Sequence, residues 1–490
     1  MKIELQVIGS ALRAVCDEMG AALIRSAFSA NIKERRDCSA ALFAADGRMV
    51  AQAEHIPVHL GAMPEAVAAV RALDPGPNDI FILNDPFAGG THLPDITLVT
   101  RTAVGFAVTR AHHADVGAKE PGSLPSDSTT LADEGVVIPP TRLDDRVLER
   151  LISQMRNPDE RRGDIRAQLA AHRLAARRLE ELCESRGADS VAAAMDELYA
   201  YSERRVRAAV DRLPDGRYEA VDFLEGREGE LEIRATVTLT GDEIAIDFKG
   251  TAPQHSGNLN CPLAVTRSAA YFVVRCLTDP DVPASGGAFA PVSVSAPEGS
   301  LVNARPPAAV AAGNVETSCR IVDVLFAAFA QATEVPAQGQ GTMNNLTLGS
   351  SGFTYYETIG GGQGACPDAA GPSAVHVTMS NTLNTPVEAL ELAYPLRVRR
   401  YALRRGSGGA GARRGGDGVV RELEVLEACR FSLITERRGR APQGAAGGQP
   451  GDRGRNLLND VDIPAKITGD LEPGDILTVE TPGGGGYGRA

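Results

Sequence analysis

Apolar positions recur at helical spacing through residues 3–29 (Leu5, Ile8, Leu12, Val15, Met19, Leu23), which predicts an amphipathic helix. The pattern then shortens. CSAALFAADGRMVAQ reads as two strands joined at Asp46-Gly47, a dipeptide that favours tight hairpin turns. Residues 80–83, 96–100 and 106–110 are apolar or β-branched runs bounded by Gly, Pro and Asn, predicting a sheet whose loops hold polar groups. From Asp144 to about Leu213 the helical period returns in an Arg-, Glu- and Ala-rich stretch. It predicts a long helical hairpin, broken near Asn157-Pro158 and again at Gly187. Beyond Tyr218 the runs EAVDFLEG, LEIRATVTLTG and DEIAIDFKG alternate as strands do, with helices expected at 263–277 and 315–332. Residues 339–364 are rich in Gly, Asn and Thr, 406–418 and 439–455 are Gly/Arg-rich loops, and Ile476 to Gly488 is a strand entering a glycine tail.

No solenoid-length repeat interrupts this order. The expectation is an α+β fold of several subdomains, with mixed sheets and a long helical hairpin insertion. Its divisions are an N-terminal α/β region carrying a metal site (1–143), the hairpin (144–215), a β-rich region with helices (216–340) and a Gly-rich β region (341–490).

The chain's 490 residues exceed one compact core, and its 43% hydrophobic and 23% charged content is that of a globular protein. A formal charge of -13 argues against nucleic acid as a partner, since phosphate binding calls for a basic face. No apolar run reaches the roughly 18 residues that span a bilayer. The N-terminal segment carries acids within its apolar pattern and reads as a helix, not a signal peptide. Eight scattered cysteines without a CxxC pair read as reduced thiols, so a cytoplasmic location is expected.

The densest polar constellation is NDPFAGGTHLPDITLVT followed by TRAHHADVGAKEPGSLPSDS. Histidine occurs only eight times in the chain, yet His92, His112 and His113 fall close together beside Asp85, Asp95 and Asp115. Imidazole with carboxylate suits a divalent Zn, Mn or Fe ion. Pro94 disfavours a helix between His92 and Asp95, which places the pair in a loop entering a strand. His112 and His113, adjacent at a strand end, point to opposite faces, so one of the two is the expected ligand. His55 and His59 have a helical i, i+4 spacing, but Pro57 lies between them and favours a structural or pocket-lining role. In TYYETIGGGQGACPDAAGPS the glycine run could offer the N–H groups of Gly361 and Gly362 to an oxyanion; the competing reading is a tight turn packed on a sheet. The terminal GGGGYG fits GxGxxG (Gly483, Gly485, Gly488) without a following helix to bind pyrophosphate, so no dinucleotide site is expected there. The chain has no Gly-Lys dipeptide, hence no Walker A loop, and no GxSxG elbow.

The stretches RRDCSAALFAADGRMVAQ, NDPFAGGTHLPDITLV, RAHHADVGAKEPGSLPSDSTTLADEGVVIPP, GNVETSCRIVDVL, YYETIGGGQGACPDAAGPSAVHVTMSNTLNTPVEALE, GGDGVVRELEVLE and TPGGGGYG together closely resemble the hydantoinase B/oxoprolinase family, from residue 35 to 488. The resemblance implies a B subunit that works with an A-type ATPase subunit in a hetero-oligomer, with ATP and Mg bound by that partner. It implies a ligand set of Asp37, His92, Asp95 and one of His112 or His113. Asp37 enters only through the resemblance, since an acid after two arginines otherwise reads as a surface ion pair. The activity implied is ATP-dependent opening of a small cyclic amide (hydantoin, 5-oxoproline or lactam), completed at the metal of this chain. Alternatives are a subunit of an acetone- or acetophenone-type carboxylase and a non-catalytic scaffold completing the partner's site. Gln363, where relatives often carry an aromatic, and the lack of tryptophan leave the substrate open.

Overall fold

The computed structural model describes residues 3–53, 56–59 and 61–489. Helix α1 (Ile3–Ser26) buries the six positions named from its period, Leu5 to Leu23. After the short helix α2 (Ala30–Lys33) come β1 (Cys38–Ala44) and β2 (Met49–Ala53). Their turn runs through Gly47 at φ +90°, with the Arg48 N–H donating to Asp46 Oδ1 at 3.0 Å. Helix α3 (Met63–Arg71) leads to β3 (Ile80–Leu83), β4 (Asp95–Arg101), β5 (Gly105–His112) and β6 (Thr141–Arg142). These strands form one antiparallel sheet in the order β2-β1-β5-β4-β3-β6. Strands β1, β2 and β5 are buried at every position, as expected of a sheet covered on both faces.

One cover is the predicted hairpin. Helix α4 (Asp145–Ile152) is capped by Asp144, which accepts from the Val147 N–H at 2.7 Å. Asn157 at φ +53° precedes Pro158, the first residue of α5 (Pro158–Arg186). Gly187 at φ +81° then separates α5 from α6 (Ala188–Val210). Ala167, Ala171, Ala175 and Leu179 of α5, with Val191, Met195 and Leu198 of α6, share one core with α1 and with Cys38, Leu42 and Ala107 of the sheet. The hairpin therefore closes the N-terminal sheet. Helix α3 covers the opposite face through Met63, Ala66, Val67 and Val70.

A second sheet holds β7 (Gly216–Gly226), β8 (Gly229–Thr240), β9 (Glu243–Asp247) and β10 (Val292–Ser295), in the order β10-β9-β8-β7. Helices α7 (Leu263–Leu277) and α8 (Ser318–Phe329) pack on it. The C-terminal region contains β11 (Asn345–Gly349), β12 (Thr354–Glu357), helix α9 (Val387–Ala393), β13 (Leu396–Arg404), β14 (Gly418–Val425), β15 (Cys429–Ile434), β16 (Arg455–Leu458), β17 (Val461–Asp462), β18 (Lys466–Leu471) and β19 (Ile476–Glu480). They form two sheets, β12-β11-β15-β18 and β13-β14-β19-β16-β17, around a core that includes Leu348, Leu423 and Leu477. No helix among the described residues is long and apolar enough to cross a membrane.

Candidate metal centre

The register of the first sheet builds the site. Asp95, opening β4, pairs directly with His112, closing β5, so their side chains rise from one face. Beside them Cys38 pairs with Ala111, and the His112 N–H donates to the Asp37 carbonyl at 3.0 Å, which brings Asp37 to the same sheet end. His92 arrives from the loop before β4. That loop turns at Pro94, with the Asp95 N–H donating to the His92 carbonyl at 3.1 Å.

The side chains converge. Asp95 Oδ1 lies 3.1 Å from His92 Nε2 and 3.1 Å from His112 Nδ1, and those two nitrogens are 3.2 Å apart. All three side chains are buried. Donors about 2.0–2.1 Å from a shared tetrahedral ion stand about 3.3 Å apart, so this triangle fits a divalent cation. The donor set also fits, since two imidazoles and a carboxylate suit Zn, Mn or Fe. Asp95 Oδ2 accepts from Thr91 Oγ1 at 2.6 Å, and His59 Nε2 stands 3.6 Å from it. His59 in turn shares a hydrogen bond with Ser39 Oγ at 2.9 Å and lines the pocket, in keeping with the role expected of it. His55 lies outside the described residues.

Charge reinforces the cluster. Burial opposes ionisation of Asp95, yet His92, His112 and His59 outweigh it and hold the carboxyl well below its ordinary range. Burial likewise opposes a charged His92, but Asp95, and Asp37 behind it, raise the pKa of the ring. The carboxylate of this centre is therefore permanently available as a ligand at neutral pH.

The cavity is small, about 20 Å³, and Asp37, His59, His92, Asp95 and His112 share its wall with groups from distant parts of the chain. Tyr356 of β12 stacks on His112 with ring centroids 4.5 Å apart. Arg35, fully buried, donates to the carbonyls of Tyr356 and Thr358 at 3.3 Å and to Thr382 Oγ1 at 3.2 Å, which clamps that wall against the segment leading to Asp37. Asn314, Ser380 and Thr382 complete the polar lining. None of these was singled out from sequence, although Tyr356 and Thr358 lie in the YYETIGGG stretch and Asn314 in GNVETSC.

A family model described as hydantoinase B/oxoprolinase matches residues 1–490. The chain belongs to this family. It is 37% identical over 534 residues to 5-oxoprolinase 1 of Arabidopsis thaliana, covering 99% of this chain and 42% of that protein. Against the B subunit of a putative D-/L-hydantoinase from a Pseudomonas strain the identity is 33%, over 99% of this chain and 90% of that one. The chain thus spans less than half of the plant protein and most of the bacterial one. Among solved structures it resembles an ATP-dependent caprolactamase from Pseudomonas jessenii, with a TM-score of 0.93, 28% identity and coverage of 99% of this chain and 91% of that one. It also shares the fold of an acetone carboxylase, with a TM-score of 0.87, 19% identity and coverage of 100% and 76%.

In this hydantoinase B/oxoprolinase member the remaining candidates stand apart from the cavity. His113 turns to the opposite face of the sheet, where its Nε2 meets Gln168 Oε1 of α5 at 3.1 Å and burial pushes its pKa down to about 4. Of the two adjacent histidines it is His112 that meets Asp95, because β4 and β5 pair them directly. His113→Ala should accordingly keep the bound metal at its wild-type stoichiometry while lowering the melting temperature by several degrees. Metal analysis beside a thermal melt checks this, and metal loss would place His113 in the centre. Asp115 organises its own loop, accepting from the Gly117 and Gly122 N–H groups at 2.7 and 2.8 Å, and Asp85 accepts from Phe87 N–H at 2.9 Å. Gly361 and Gly362 are also committed. Their N–H groups donate to the carbonyls of Val375 and Pro482 at 2.9 and 3.0 Å, which leaves no donor for an oxyanion. The run is extended backbone, with Gly361 bridged antiparallel to Val375, and not the tight turn of the competing reading.

Proposed function

We propose that this chain is the metal-dependent B subunit of an ATP-dependent cyclic-amide hydrolase, acting on a carbonyl activated by ATP on a partner A subunit. The observation that carries this reading is the buried triangle of Asp95, His92 and His112 with Asp37 on the same wall. The relative named as the B subunit of a hydantoinase supports the division of labour within a complex, and the caprolactamase likeness supports cyclic amides as the substrate class.

The chemistry explains the division. An amide is a poor electrophile, and phosphorylation of its carbonyl oxygen by the partner makes the carbon open to water. The C–N bond then breaks as the nitrogen takes a proton, and hydrolysis of the acyl phosphate left behind releases the carboxylate and phosphate. His92, Asp95, His112 and Asp37 would hold the divalent ion, which supplies Lewis acidity and lowers the pKa of water to about 7. The chain's own part is positional. Asp95 stays ionised between its histidines, while Thr91 fixes its second oxygen and His59 faces it. A cavity of about 20 Å³ has room for about one water. A ring therefore enters only when part of the wall shifts, and the part at 379–382 belongs to neither helix nor strand.

The test is turnover by the complex of this chain with an A-type ATPase. Expected is ATP hydrolysis coupled to ring opening of hydantoin, 5-oxoproline or a lactam, abolished by chelation and restored by one divalent metal. Dependence of turnover on bicarbonate would instead show a carboxylase subunit. Full activity from metal-free protein would leave only the scaffold role.

A further inference from the structure

The helix that continues as α8 is interrupted just after its start at residues 311–312. Residues Gly313–Thr317 form a π-helical turn, a rare insertion that is common at functional sites. Its approach is fixed by close contact, since the Gly313 N–H donates to the Asn258 carbonyl at 3.0 Å and a Cβ at Gly313 would lie 1.8 Å from the Asn260 carbonyl oxygen. Upstream, Glu134 is buried and accepts from the N–H groups of Val310 and Ala311, at 3.0 Å in each case, and from Ser128 Oγ at 2.8 Å. The turn is thus held rigidly from both sides.

What this turn presents to the metal cavity is Asn314. Its side chain lines the cavity beside Asp37, His92, Asp95 and His112 and is only 3% exposed, yet its Oδ1 has no hydrogen-bond partner. An unpaired buried acceptor is costly unless something else satisfies it. Most other groups on the wall are already engaged: Thr358 and Thr382 with Arg35, Ser380 with His376, and Tyr356 with Asn345. Among the described residues of this wall, the other buried atoms without a partner are His92 Nδ1 and His112 Nε2, on the metal-site histidines themselves, so Asn314 Oδ1 is the unpaired acceptor left for a substrate.

A carboxamide has a donor and an acceptor on one edge. A cyclic secondary amide does too, because its ring holds N–H and C=O cis to each other. The two edges pair through two parallel hydrogen bonds. If the carbonyl oxygen has been phosphorylated and the ring nitrogen has lost its proton, the Asn314 amide N–H can donate to that nitrogen instead. Resting on the hydrolase reading above, we propose that Asn314 is the substrate-binding residue that recognises the ring-nitrogen edge, so that this chain selects cyclic amides with an unsubstituted N–H.

The experiment is calorimetric titration of the metal-loaded full chain with 5-oxoproline, hydantoin and caprolactam, and with an N-methyl form of each. Expected is at least one N–H ring bound about tenfold or more tightly than its N-methyl form, because methylation leaves Oδ1 unpaired and adds a clash. Asn314→Ala should erase that difference while metal content and melting temperature stay as in the wild type. Asn314→Ser, a smaller change at the same turn, gives the same reading if Asn314→Ala does not fold. The proposal is overturned if the difference survives both substitutions, if the wild type binds both forms equally, or if it binds none of the rings. Loss of ATP-coupled turnover with the binding difference intact would remove the hydrolase reading alone. Turnover with a binding difference insensitive to Asn314 would remove only this inference.

Discussion

Asp95→Ala should empty the metal centre: less than about a tenth of the wild-type metal retained, and cyclic-amide turnover reduced beyond the roughly 10–100-fold cost of losing an outer partner of a ligand. The reason is geometric. Asp95 Oδ1 is the atom that meets both His92 and His112 at 3.1 Å, and its Oδ2 engages Thr91 and faces His59. Removing the carboxylate leaves three buried imidazoles around a void without the anion that makes a cation welcome. Asp95→Asn keeps the shape and the Thr91 contact but removes the charge. It should weaken metal binding while leaving the fold intact. Metal analysis and circular dichroism of both variants, with turnover in the complex, decide the matter. Wild-type metal content in Asp95→Ala would sink the centre as drawn.

How much of this is legible in the sequence depends on the range of each interaction. The helix of residues 3–26 and the breaks at Asn157 and Gly187 are readable because period and backbone preference are local. That the hairpin lies against α1 is not, since nothing in its own pattern names the surface it covers. His92 and Asp95 stand out by residue type and the Pro94 turn. The choice between His112 and His113 needs the pairing of β4 with β5, because period 2 separates their faces without saying which face holds Asp95. Asp37 is hidden for a different reason. In isolation RRD resembles a surface ion pair, yet Arg35 is fully buried against Tyr356 and Thr358, more than 300 residues away in sequence.

The glycines show the same limit from the other side, and they carry the second large prediction. A glycine run announces a backbone that comes close to something, without saying what. Here segments 361–364, 408–416, 444–451 and 483–486 pack against one another, backbone on backbone. The Gly484 N–H donates to the Gly416 carbonyl and its own carbonyl accepts from the Gly409 N–H, at 2.9 and 2.8 Å. A Cβ on Gly484 would lie 2.0 Å from the Gln363 carbonyl oxygen and 2.7 Å from the Gly364 nitrogen. Neither neighbour is a flexible side chain, so the clash relaxes only by separating whole segments. Gly484→Ala should therefore destabilise the protein by about 3 kcal/mol or more, at or beyond the upper end of overpacking costs. Gly406→Ala is the matched control. Its φ of +92° strains an L-residue, but nothing lies within 4 Å of the added Cβ, so only about 1–2 kcal/mol is at stake. Thermal melting and limited proteolysis should show Gly484→Ala opening well below the wild type and Gly406→Ala close to it. Equal melting of the two variants would mean that the terminal GGGGYG is a loose tail. The expected gap would make it a packed structural segment, and the Pro482 carbonyl just before it also accepts from the Gly362 N–H, in the stretch that follows the wall of the metal cavity at 356–358.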